Sequence, residues 1–214
     1  MKNSIQKLFA AALVVVTLSS TAVVANATEN TASYTALTNV KNISKVVVSG
    51  NVKLILVQDA KESVEVYDQY YGKNAMVQQQ GAELRISSFD KNTLTVVAHV
   101  NNLTTIVASN TATVSTAGNF NLLNLNIVLS DKASADITAN TVNLSTEIND
   151  AATLKLAGST EDHTAVIGAE SKIKMGDFTA TESSIRVSAK PVVLANSNPS
   201  RYADIDIALL EKLF

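Results

Sequence analysis

Short runs in which apolar and polar side chains alternate, separated by clusters of Ser, Asn, Asp and Gly, recur along the chain from Ile43 onward. Val46-Val47-Val48 leads through a Ser49-Gly50-Asn51 turn to Lys53 through Val57, and a polar turn from Gln58 to Lys61 leads to Val64-Glu65-Val66-Tyr67. Alternation with a period of two is what a strand with one buried face requires, so these runs predict three short strands, the opening hairpin-like. Leu84-Arg85-Ile86 and Leu94-Thr95-Val96-Val97 resume the pattern, and no stretch in this part carries the 3.6-residue period of a long helix. Residues 28–42 are polar, rich in Thr and Asn and without periodicity, which predicts a flexible lead-in.

Beyond residue 103 the alternation becomes a repeat. Ser109-Asn110-Thr111-Ala112-Thr113-Val114, Ser130-Asp131-Lys132-Ala133-Ser134-Ala135, Asn149-Asp150-Ala151-Ala152-Thr153-Leu154 and Gly168-Ala169-Glu170-Ser171-Lys172-Ile173 align at spacings of 21, 19 and 19 residues. Each is a polar turn, a small residue and a short strand, with another strand before the turn: Thr105 to Val107, Leu125 to Leu129, Val142 to Leu144 and Ala165 to Ile167. A unit of this length with two or three short strands makes one coil of a solenoid, burying in the stack a core that no coil buries alone. The predicted fold is therefore all-β, a right-handed parallel β-helix or β-solenoid forming a single domain over residues 43–201. A β-sandwich is the alternative, because its hairpins show similar alternation. Residues 183–194 read as a last, shorter coil. Residues 202–214 place Ile205, Leu209, Leu210 and Leu213 at helix-like spacing, on a segment that begins as alternating Asp-Ile-Asp-Ile, and suit a C-terminal cap over the raw end of a stack.

The N-terminus changes the setting of this domain. Lys2 and Lys7 precede an apolar stretch from Leu8 to Leu18, followed by small and polar residues ending in Ala25-Asn26-Ala27. This is the three-part pattern of a secretory signal, with Ala25 and Ala27 offering small side chains to the peptidase; residues 1–27 are expected to be removed. The apolar core is well short of the roughly 20 residues of a membrane span. Loss of Lys2 and Lys7 shifts the formal charge from −2 to −4, an acidity that argues against a nucleic-acid partner. The chain contains no cysteine, so packing and backbone pairing must supply stability in a compartment that would have allowed disulfides. Aromatic residues make up 5% of the chain; Val, Ile, Leu and Ala carry the apolar content.

Ile43 through Leu54, with its strand, Ser-Gly turn and strand, resembles the opening of the head GIN domain family, a Bacteroidetes-type domain of unknown function bearing an autotransporter-adhesin label. Ser63-Val64-Glu65-Val66 and Ala82-Glu83-Leu84-Arg85-Ile86 fall where that family has its next two strands. Ser109 to Val114 and Ser130 to Ile137 occupy the places of its repeated Ser-Gly-Ser-Gly-Asp-Val turn, with Asn, Thr, Ala and Lys replacing the turn glycines. The resemblance covers residues 43–194. It implies an exported, β-helix-like domain with no established catalytic residues.

The chemistry available in the side chains points the same way. With two histidines, His99 and His163, and no cysteine, a thiol nucleophile is absent and a histidine metal cluster has almost nothing to build on. His163 follows Ser159, Thr160, Glu161 and Asp162, the residue types of a hydrolase triad, but without a nucleophile-elbow pattern; a solvated turn is the expectation there. Asn110, Asp131 and Asp150 fall at equivalent repeat positions, Glu170 one residue out of register. A solenoid would stack them, making Asp131 and Asp150 weak calcium candidates; recurrence because Asn and Asp bond their own backbone in turns is the simpler explanation. Tyr67, Tyr70 and Tyr71 form the one aromatic cluster, suited either to contacting a sugar or protein or to plugging the end of the core. The mature chain has three arginines, Arg85, Arg186 and Arg201, none in an acidic repeat turn, a poor basis for polysaccharide lyase chemistry.

The function expected is that of an exported, non-catalytic cell-envelope or secreted domain for adhesion, scaffolding or ligand binding. No enzyme activity and no cofactor are expected. The partner would be a protein or glycan, with the membrane met transiently during export. The alternatives are a lyase-like carbohydrate-active enzyme on the same fold and a periplasmic partner of a membrane signalling system.

Overall fold

The structure, a computed structural model, describes residues 35–67 and 75–188. The signal segment with Ala25 and Ala27, Tyr70 and Tyr71, residues 189–194 of the expected last coil and the cap at 202–214 lie outside the described residues. Among those described there is no helix. The strands are β1 (Thr35–Leu37), β2 (Lys45–Gly50), β3 (Val52–Gln58), β4 (Ser63–Tyr67), β5 (Ala75–Gln80), β6 (Glu83–Ser88) and β7 (Leu94–Val100). They continue with β8 (Thr105–Ser109), β9 (Thr113–Ala117), β10 (Phe120–Leu129), β11 (Ser134–Ile148), β12 (Thr153–Gly168) and β13 (Lys172–Ser188). The fold is all-β, and the thirteen strands belong to one hydrogen-bonded sheet rather than two packed ones.

Parallel stacking dominates that sheet. β10 pairs with β11, and β11 with β12, at a constant offset of 19 residues (Phe120↔Ala139, Ser134↔Thr153), and β12 continues onto β13 (Thr153↔Lys172). Earlier layers fall into the same columns. Val46 of β2 sits beside Ile106 of β8, Ile106 beside Ile127 of β10, and Ile127 beside Thr146 of β11. A second column runs Val96, Leu54, Val114, Ala135, Leu154. All but one member of these two columns are at most 2% exposed, Ala135 being 5%, so alternation delivers every second side chain to a shared interior. Burying a leucine such as Leu54 stabilises by about 2 kcal/mol. Phe120 is the largest of the fully buried side chains among the described residues.

Three expectations are corrected. The opening is not a hairpin: β2 pairs in parallel with β6 and β8, and β3 with β7 and β9, so both edges of each strand are occupied and neither has groups left for the other. Gly50, at φ +82°, redirects the chain through a corner without reversing it. A Cβ there would run into the backbone carbonyl of Ser88, the corner of the adjacent layer, and Asn51 N–H donates to that same Ser88 oxygen at 2.7 Å. Next, among the described residues the sheet begins at Thr35 rather than Ile43, because β1 docks antiparallel on β4 (Ala36↔Glu65); three residues are too few for a period to show. Finally, the separate short strands expected on either side of each bend are single long strands. β11 and β12 pass their bend near Val142 and Glu161 with one residue each left out of the pairing. Residues 183–188 accordingly finish β13 instead of opening a shorter coil.

Chain order and stacking order also part company at the first layers. β6 and β7 lie beyond β2 and β3, so the second pair of strands through the corner forms the outer layer. Antiparallel strands finish that side, β5 on β6 and β1–β4 on β7.

Candidate binding surface

Three successive corners are each built on a left-handed residue. Asn110, Asp131 and Asp150 have φ of 60°, 59° and 55°, and each corner closes with a hydrogen bond from the N–H of the small residue to the carbonyl three positions back: Ala112 to Ser109, Ala133 to Ser130, Ala152 to Asn149. Short polar side chains tolerate this region better than others, which is why Asn and Asp recur. The carboxylates then tie corner to corner. Asn110 N–H donates to Asp131 Oδ2 at 2.8 Å, and Asp131 N–H donates to Asp150 Oδ2 at 3.1 Å. In the following corner the stacked position is Ala169; there Ser171 Oγ takes over, donating to the carbonyls of Ile148 at 2.9 Å and Asp150 at 3.0 Å. Asp131 and Asp150 thus spend an oxygen each on backbone N–H groups. Among the described residues no three His, Cys, Asp or Glu side chains converge as a metal-ion cage would require.

Like residues also stack on the outer surface. Asn143 Nδ2 donates to Asn124 Oδ1 at 2.8 Å, Asn140 Nδ2 to Asn121 Oδ1 at 3.1 Å, and Ser159 Oγ to Asn140 Oδ1 at 3.1 Å. Asp136 and Lys155, neighbours in the same stack, form an ion pair at 3.1 Å. Leu123, 71% exposed, stands at the bend beside the asparagines, and an outward column of half-buried valines, Val47, Val107 and Val128, runs down another part of the sheet. The asparagine ladder is a feature that reading the turns alone missed. Its signal was present as Asn121/Asn140 and Asn124/Asn143 at the 19-residue spacing.

The segment around His163 is not a solvated turn. Ser159 through His163 lie within β12, and His163 is 2% exposed, stacked over Leu144, with Phe178 edge-on at 5.4 Å. Its Nε2 lies 3.1 Å from Thr146 Oγ1 and its Nδ1 3.4 Å from Ser183 Oγ. Burial pushes its pKa below the usual imidazole range. Ser159 is engaged with Asn140, and Thr160 Oγ1 donates within the chain while accepting from Thr141 at 2.8 Å, so the triad-like residues are shared out among ladder contacts. At the bend two polar residues, Glu161 and Asp162, occur in succession, which shifts the alternation and turns His163 inward.

Tyr67 ends β4 with its hydroxyl donating to Glu65 Oε2 at 2.7 Å. Near the start of the sheet an open cleft of about 540 Å³ is lined by Lys41, Lys61, Asn101 and Asn102 around Glu62. The Glu62 carboxylate accepts from Ile43 N–H at 3.1 Å and Asn101 N–H at 3.3 Å, so it holds strand ends together. On β7, His99 Nδ1 lies 3.4 Å from Asp59 Oδ2. The Asp59 carboxyl is held below its ordinary value, first by the Lys61 N–H it accepts and then by His99.

A single curled, mainly parallel sheet with laddered corners and a polar outer surface defines an all-β layered domain. The chain belongs to the family described as "putative auto-transporter adhesin, head GIN domain", whose model matches residues 42–207. No curated protein matches the chain. Among solved structures, a putative adhesin from Bacteroides fragilis is similar at TM-score 0.62 and 17% identity, covering 74% of this chain and 78% of that one. A putative adhesin from Parabacteroides distasonis reaches TM-score 0.55 at 14% identity, covering 72% and 77%. A putative lipid binding protein from the same organism reaches TM-score 0.57 at 10% identity, covering 72% and 78%. At these identities the likeness is one of fold.

Proposed function

We propose that the protein is exported and serves, without catalysis, as an adhesion or scaffolding domain of the cell envelope, presenting its outer ladders to a protein or glycan. The observation that carries this reading is the outer asparagine ladder. Stacked amides repeat at the spacing of the sheet and offer donors and acceptors in a fixed row, the kind of preorganised polar surface that can match a repeating sugar or an extended backbone. Leu123 adds an exposed apolar contact beside the row. The signal-like residues 1–27 and the adhesin description of the family support export. Against a lyase reading stands the use of the corner carboxylates as backbone acceptors, which leaves them poorly placed to hold a catalytic cation. The test is binding of the mature chain to glycan and envelope-protein panels, repeated with Asn140→Lys plus Asn143→Lys. Binding that the double substitution abolishes supports the reading, and binding it leaves unchanged refutes the ladder as the contact surface.

A further inference from the structure

Three connections that lie outside the repeat meet in the cleft near the start of the sheet. Residues 38–44 join β1 to β2, residues 59–62 join β3 to β4, and residues 101–104 join β7 to β8. The first contributes Lys41 and Asn42 to the cleft, the second Lys61 and Glu62, the third Asn101 and Asn102. Side chains pin all three. The Gln79 amide of β5 accepts from Lys41 N–H at 3.2 Å and donates to the Lys41 carbonyl at 2.7 Å. Glu62 reaches the other two connections through the N–H groups of Ile43 and Asn101, and the Asn101 carbonyl accepts from Gln58 Nε2 at 3.2 Å. Asn42 has a φ of 57°, like the repeat corners, yet belongs to no repeat, and such a residue stays left-handed where its surroundings fix it. The cleft walls are therefore set before any ligand arrives. Their volume of about 540 Å³ suits a small polar molecule.

The remaining polar groups define which molecule. The backbone N–H groups of Lys41, Ile43, Ser44, Lys61 and Asn101 all have partners within the chain, so these five cannot form the nest that grips a phosphate. Lys41 and Lys61 are exposed and have no ion-pair partner among the described residues. Asp59, just ahead in the chain, accepts from the Lys61 N–H at 3.0 Å and pairs with His99. Two ammonium groups against the one Glu62 carboxylate leave the cleft lining at a net +1, on a chain of net charge −2. The side-chain amides of Asn42, Asn101 and Asn102 supply donors and acceptors suited to hydroxyl groups, and Val40 and Ala60 add apolar surface for C–H groups. A small anion rich in hydroxyls matches this set.

We infer that the cleft binds a sugar acid, a carboxylated residue of an acidic glycan, with Lys41 and Lys61 taking the carboxylate and the three asparagines the ring hydroxyls. This shares with the proposed function only the glycan as partner and makes no use of the asparagine ladder.

The test is titration of the full-length chain, followed by NMR, with glucuronate, galacturonate and N-acetylneuraminate. At least one acid should bind with Kd of about 1 mM or tighter. Its methyl ester, which lacks the charge, should bind about tenfold more weakly, and added salt should weaken the acid. Lys41→Gln with Lys61→Gln, at exposed positions, should lose about tenfold with Tm unchanged. Asn140→Lys with Asn143→Lys should bind the acid as wild type does, which separates this cleft from the ladder. Equal binding of acid and ester, an unaffected lysine double variant, or no binding of any of the three acids overturns the inference. So does loss of binding in the ladder variant, or tighter binding of inorganic phosphate than of every sugar acid.

Discussion

Replacing Asp131 separates the two things its corner requires, a residue that accepts a left-handed backbone and an acceptor for the Asn110 N–H. Asn keeps both in neutral form and should lose about 0.5 kcal/mol or less. Gly keeps the backbone freedom and loses the acceptor, an expected loss of about 1 kcal/mol. Ala loses both: the left-handed conformation adds about 1 kcal/mol to the missing hydrogen bond, for a total near 2 kcal/mol. For a domain of this size each kcal/mol corresponds to about 2–4 °C in Tm, so thermal unfolding should rank wild type, Asn, Gly and Ala in descending order, with Ala about 4–8 °C below wild type. An Ala variant as stable as the Gly variant would refute the backbone argument. Three variants indistinguishable from wild type would refute the corner-to-corner bond. Unfolding with calcium and with a chelator should coincide; a calcium-dependent gain lost in Asp131→Asn would restore the metal reading.

Other outcomes follow from the same geometry. Gly158→Ala, at φ +103° and with its new Cβ driven into the Ala139 carbonyl of the adjacent layer, should destabilise by about 3 kcal/mol or more, whereas Gly81→Ala, facing open space, should lose about 1 kcal/mol; urea unfolding of both measures the difference. His163, kept neutral by burial, has a folded pKa below its unfolded one. The unfolded chain therefore takes up a proton that the folded chain resists, and stability should be intact above about pH 6.5 and fall as pH drops below it, a slope that His163→Leu removes. Phe120→Ala, at a fully buried position, should lower stability by about 3–5 kcal/mol in equilibrium unfolding.

The parts of the fold legible in the sequence are those where a local constraint repeats. Left-handed corners select Asn and Asp, inward positions next to them must be small, and so Asn110, Asp131, Asp150, Ala112, Ala133 and Ala152 announced both the period and the layers. Which strand lies beside which is another matter. Nothing in Val46-Val47-Val48 distinguishes β6 from β3 as its neighbour, since alternation specifies a face and not a partner, and the outer placement of β6 and β7 emerges from long-range pairing alone. The burial of His163 is not legible locally, because sequence adjacency to Glu161 and Asp162 suggests solvent while the bend inverts the faces between them. The asparagine ladder was visible as spacing but carried no weight until the parallel register joined its members.

The proposed export of the domain to the envelope surface is most directly tested by protease treatment of a tagged chain on intact cells and on cells whose outer membrane has been opened. Digestion on intact cells is the predicted result. Protection until the membrane is opened would contradict the adhesion reading and place the laddered surface against a periplasmic partner.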